Sequence, residues 1–160
     1  MELAELIREL GAGLGLSDAE PDEDGAATLV IDDTLEIVIE PGEDGHGIVI
    51  SAAVGALPAD AREAVFAELL EANLMGQGVG AAALAIDPER EEIVLCRLIL
   101  KTDLDFDDFD RELVAFANAL RYWRERSDSG QIGKGPDGDE QDEDEAALMM
   151  EGGATPILKA

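Results

Sequence analysis

Residues 69–87, LLEANLMGQGVGAAALAID, force the chain to leave one secondary structure and enter another within a few positions. An amphipathic helix ends on Ala72-Asn73-Leu74. Glycines at Gly76, Gly78 and Gly80 break it, and Ala83-Leu84-Ala85-Ile86-Asp87 then reads as a strand. The small run Ala81-Ala82-Ala83 permits close approach of backbones.

The remaining segments follow their own hydrophobic periods. Leu3, Leu6, Ile7, Leu10 and Leu14 share one helical face, which predicts a helix over 2–12 ended by Gly11, Gly13 and Gly15. After an acidic loop, strands are predicted over 28–31 and 35–40, with a tight turn at Asp32-Asp33. In the second, Leu35, Ile37 and Ile39 alternate with Glu36, Val38 and Glu40, the mark of a half-buried sheet. A third strand covers 48–54. Pro58-Ala59-Asp60 opens a second helix with Asp60 as N-cap and Glu63 completing a capping box. Its inner face carries Val65, Phe66, Leu69, Leu70, Asn73 and Leu74. Strands over 81–87 and 92–101 flank a turn at Pro88-Glu89-Arg90, and the second is apolar on both faces, as a strand inside a sheet requires. Phe109, Leu113, Phe116, Leu120 and Trp123 form a continuous seam, predicting a helix over 106–125 with acids at its N-terminus and arginines at its C-terminus. The order α-β-β-β-α-β-β-α predicts an α+β fold, a twisted antiparallel five-stranded sheet packed with helices.

The 160 residues suit one domain, predicted over 1–126. From Ser127 the composition turns glycine-rich and acidic, predicting a largely disordered tail over 127–160, with Ala146 to Met150 as a short apolar patch. The formal net charge is −27, which repels phosphate backbones and anionic lipid. Nucleic acid and membrane are therefore excluded as expected partners. The single cysteine, Cys96, excludes an internal disulfide and a cysteine-based zinc cluster, and fits a reducing cytoplasm. The N-terminus has no basic leader, so no signal peptide is expected, and no apolar run approaches the roughly 20 residues that span a bilayer.

The element order, the LLEANL helix end, the glycines before ALAID, the strand IVLCRLIL and the segment DLDFDDFDRELVAFANALRYWRER together resemble the CesT/Tir-chaperone family, the class I type III secretion chaperones. The resemblance covers roughly residues 1–126; the tail departs from it. It implies an acidic homodimer in the bacterial cytoplasm, tied to virulence. Such a chaperone holds the N-terminal chaperone-binding segment of a secreted effector extended and hands it to the export machinery, with the secretion ATPase a candidate further partner. It implies no cofactor, no metal and no enzymatic activity. Carried onto this chain, the family's dimer contacts would involve Phe66, Leu69, Leu70, Asn73, Leu84 and Ile86. The effector groove would lie over the first helix and the outer faces of the first three strands, with Leu6, Leu10, Leu29, Ile31, Val38 and Val49 as candidates. The first strand is expected at a free sheet edge, where an extended segment can add through main-chain hydrogen bonds.

Two other readings stay open at this point: a regulatory or adaptor protein of the same fold without effector cargo, and a small metal-dependent enzyme. The enzyme lacks convergent ligands. Glu20, Asp22, Asp24 and Gly25 mimic a calcium loop, but its twelfth position falls on Ile31. Gly133-Lys134-Gly135-Pro136 lacks Walker spacing. His46 is the only histidine and sits in a turn, Cys96 reads as an inert strand thiol, and Trp123 belongs to the helical seam.

Overall fold

The computed structural model of the chain describes residues 2–14, 20–43, 46–100 and 104–134. Its elements are α1 (Leu3–Leu14), β1 (Ala27–Ile31), β2 (Leu35–Pro41), β3 (Ile48–Ala56), α2 (Arg62–Asn73), β4 (Ala83–Asp87), β5 (Glu92–Ile99) and α3 (Phe106–Asp128), in the predicted order. The five strands form one antiparallel sheet, β1-β2-β3-β5-β4. β1 stands at one edge and β4 at the other, and β5 lies inside the sheet, as its two apolar faces require.

The strand alternation decides which face is buried. Leu29, Leu35, Ile37, Ile39, Ile48, Ile50, Ala52, Val54, Leu84, Ile93, Leu95 and Ile99 point to one side and are buried there. α3 crosses that side over β3 and β2, and presents the whole predicted seam from Phe109 to Trp123 to it. Asp105 caps this helix, its side chain accepting the Asp108 N–H at 2.8 Å. α1 packs on α3, and α2 packs on β4. Asp32 and Asp33 both have positive φ (53° and 57°), and the Thr34 N–H donates to the Ile31 carbonyl, so the predicted tight turn joins β1 to β2.

Four expectations are corrected. Gly11 and Gly13 lie inside α1 rather than ending it. Burying Leu6, Ile7 and Leu10 outweighs the helix penalty of glycine, about 1 kcal/mol each. The N-cap of α2 is Ala61 (φ 55°), with no side-chain cap, so Asp60 builds no capping box. The Arg62–Glu91 ion pair at 2.9 Å and the Leu57 N–H bond to the Glu91 carbonyl hold this end instead. Only Val65 and Leu69 of α2 are buried; Phe66, Leu70 and Leu74 look outward, because among the strands α2 rests chiefly on β4 and needs a narrow apolar stripe. Ala81 and Ala82 belong to the turn before β4, which starts at Ala83.

Ordered packing also continues past 126. α3 runs to Asp128, and the chain then hooks back onto α2. Ile132 is buried, and the Gly133 N–H donates to Glu68 Oε2 at 2.7 Å. Gly133 (φ 85°) leaves no room for a side chain, since a Cβ would sit 2.6 Å from Val65 Cγ2. The other Glu68 oxygen accepts Arg126 at 2.7 Å. The rest of the predicted tail, 135–160, lies outside the described residues.

Candidate interaction surfaces

Two surfaces stand out because apolar side chains remain uncovered. The first is the outer face of the sheet. Cross-strand registers align Thr28, Val38, Ser51, Cys96 and Ala83 in one row across all five strands. Beside it, Val49 pairs with Leu98, and Ala53 and Ala85 both pair with Val94. Among the described residues no helix covers this face. Leu98 is 48% exposed, and Leu100 just beyond β5 and Val30 are more so. Glu36, Glu40, Asp87 and Glu92 point to the same side and surround the apolar strip with negative charge.

The second surface is the outward side of α2. Phe66, Leu70 and Leu74 recur every fourth residue, and Met75 follows. Leu70 is 70% exposed and Met75 91%. The chain reverses here through a short 3-10 turn, Leu74–Gly76, with Met75 (φ 54°) and Gly76 (φ 71°) in the left-handed region. Gly78 then returns against the helix: its N–H donates to the Ala72 carbonyl at 3.0 Å, and a Cβ there would lie 2.9 Å from Ala72 Cβ. Trp123 Nε1 donates to the Gly78 carbonyl at 2.9 Å, tying the turn to α3. This accounts physically for Gly76 and Gly78 of the LLEANLMGQGVG stretch. A cleft of about 280 Å³ separates this turn from α3, and its charged lining residues, Arg97 and Glu112, pair with each other at 3.1 Å.

The predicted interface residues divide sharply. Phe66 and Leu70 are exposed on α2, whereas Leu69 and Leu84 are buried in the protomer core and Ile86 packs against it. Asn73 is turned to β4, bonded to the backbone of Leu84. Of the predicted groove residues, Leu6, Leu10 and Leu29 are buried in the core, Leu6 completely, and Ile31 packs against the core. Val38 and Val49 lie on the uncovered sheet face, half-buried among their neighbours. Leu98, Leu100, Leu74 and Met75 were not among the predicted residues. The two-sided apolar pattern of β5 was their signal, and so was the four-residue recurrence from Phe66 to Leu74.

The groups that mimic catalytic or metal sites have structural partners. Asp22 Oδ1 accepts the N–H groups of Asp24 and Ala26, both at 2.9 Å, which folds the acidic loop on itself. Burial raises the Cys96 pKa above the usual thiol value, and its Sγ donates to the Ala83 carbonyl at 3.4 Å. Among the described residues no cluster of three or more His, Cys, Asp or Glu is arranged to hold a metal ion. No helix among them is long and apolar enough to cross a membrane.

Comparison with known proteins agrees with this architecture. The model of the Tir chaperone protein (CesT) family matches residues 5–124. A Chlamydia pneumoniae protein designated CPj0713/CpB0740 is 32% identical over 123 residues, spanning 76% of this chain and 92% of its own. A chain of the ExsC–ExsE complex superposes with a TM-score of 0.64 at 20% identity, covering 78% of this chain and 96% of that one. The structure of the Yersinia pestis type III secretion chaperone SycH with a fragment of YscM2 gives 0.59 at 19% identity, covering 76% and 98%. Fold and family are thus those of chaperones, and the chain belongs to the Tir chaperone protein (CesT) family.

Proposed function

We propose that the protein is a type III secretion chaperone that binds the N-terminal segment of a secreted effector, keeps it extended and delivers it for export. The observation that carries this reading is the uncovered sheet face: a sheet of this size with aliphatic side chains on both sides and, among the described residues, helices on only one. Such a face calls for a partner. An extended client can lie across Val38, Val49, Val94 and Leu98 and extend the sheet at the free β1 edge. The ring of carboxylates and the net charge of −27 favour basic or amphipathic segments and oppose the stacking of two such sheet faces on each other, leaving the α2 side for a second copy.

The same reading makes the protein a homodimer in the bacterial cytoplasm. Its two-fold contact would use the α2 side that carries Phe66 and Leu70, extended by Leu74 and Met75. The secretion ATPase is a further partner under this reading, and binding requires no cofactor. The family membership and the similar fold of the SycH chaperone support the chaperone reading.

The test starts from the client recovered with the protein from its native cell and identified by mass spectrometry. Its N-terminal segment, made separately, should bind the full chain and stay susceptible to protease outside the covered stretch, as an extended segment does. A client that binds only as a folded globular domain, or a chain that captures no secreted protein, contradicts the proposal. Light scattering tests the dimer: a monomer at micromolar concentration contradicts the α2 interface.

A further inference from the structure

The glycine turn after α2 places Asn73 against the outer edge of β4. There its Oδ1 accepts the Leu84 N–H at 2.8 Å, and its Nδ2 donates to the Leu84 carbonyl at 3.0 Å. A neighbouring antiparallel strand makes the same two bonds to a residue of its partner. We propose that Asn73 acts as a strand mimic that closes the β4 edge of the sheet to main-chain pairing with β4 of a second copy.

Three features carry this. β4 is an edge strand with small exposed side chains, Ala83 and Ala85, and no lysine, proline or internal charge before Asp87. Apart from the terminal Asp87, the charges and prolines that usually protect an edge strand are therefore missing from β4 itself. Second, the outward backbone groups of a strand recur every two residues, so β4 offers chiefly Leu84 and Ile86 to a partner. With Leu84 occupied, one residue is left, too few to hold a strand pair. Third, the plug is rigid. Asn73 is half-buried, and the turn behind it is fixed by the Gly78–Ala72 bond and by Trp123. The opposite edge, β1, carries no such side chain among the described residues. A second copy is thus directed away from fusing two sheets and toward side-chain packing on α2. The inference goes beyond the proposed function, and it holds whatever the client is.

The test compares the full wild-type chain with Asn73→Ala and Asn73→Asp by sedimentation velocity over a range of micromolar concentrations, with amide hydrogen exchange on the same samples. In dilute N73A the Leu84 amide should exchange at least about tenfold faster, the effect of losing one to two hydrogen bonds. As concentration rises, species larger than the wild-type assembly should appear, with Leu84 protected again. N73D keeps an acceptor for the Leu84 N–H and adds a charge at the edge, so it should keep the wild-type size. Wild-type size of N73A at every concentration overturns the proposal, as do larger species in which Leu84 still exchanges freely. If N73A is unfolded in buffer, the measurement is repeated in sucrose, which favours the compact state. Failure to fold there as well assigns Asn73 to fold stability alone and overturns it too.

Discussion

The two faces of the sheet are built from nearly the same residue types and have opposite fates. Ile48, Ile50 and Ala52 of β3 disappear beneath α3, while their neighbours Val49, Ser51 and Ala53 meet no helix among the described residues. The inner face holds one protomer together. The outer face contributes little to that and stays available. Under the proposed function, adjacent positions on a single strand then separate stability from client binding, since neighbouring side chains project to opposite sides.

The sharpest test sets one neighbour against the other. Ile50→Asp should unfold the protein, since it puts a carboxylate where the side chain is fully buried, a loss of more than about 4 kcal/mol. Val49→Asp, at a half-buried position opposite Glu40, should cost only about 1–2 kcal/mol and still abolish client binding. Melting curves and client titrations on both variants check this, and equal destabilisation would erase the distinction. Trp123→Phe comes next, expected to cost about 2–3 kcal/mol because it removes ring volume and the bond to the Gly78 carbonyl. Denaturant unfolding measures it. Glu68→Gln should cost about 1–2 kcal/mol by weakening the partly exposed pair with Arg126. Amide exchange should then rise first at Ile132 and Gly133, in the hook on α2.

The smallest effect concerns Cys96, which lies in the central row of the outer face. Its pKa is raised by burial, so less thiolate is present at neutral pH and alkylation should be several-fold slower than for a free thiol. The rate should climb as pH rises through the shifted value, and bound client should slow it further. Alkylation as fast as free cysteine would contradict the burial.

Much of this comparison is legible in the sequence, and the illegible parts share a cause. The alternation in residues 35–40, the two-sided pattern of β5 and the seam of α3 are local periods, and each dictates its element directly. What periodicity does not carry is which apolar stripe a neighbour covers. Leu6 and Leu10 form a stripe as apolar as that of Phe66, Leu70 and Leu74, yet the first is sealed by α3 and the second left open. That depends on contacts between elements distant in the chain. The same reason hides the hook: Ile132 lies in a polar, glycine-rich stretch that looks unstructured until Glu68, 65 positions earlier, is seen to hold Gly133. Gly11 and Gly13 mislead in the opposite sense, because tertiary burial overrode their local preference to end a helix. Asn73 was visible as a residue, and its bonds to Leu84 required knowing that the chain folds back upon itself.

The most direct test of the outer face as the client surface is site-specific crosslinking. A photoreactive side chain placed at Leu98 of the full chain should capture the N-terminal segment of the client on irradiation, and the same group at Leu70 should capture a second copy of the chain. A complex that forms normally while Leu98 never crosslinks to the client would contradict the account.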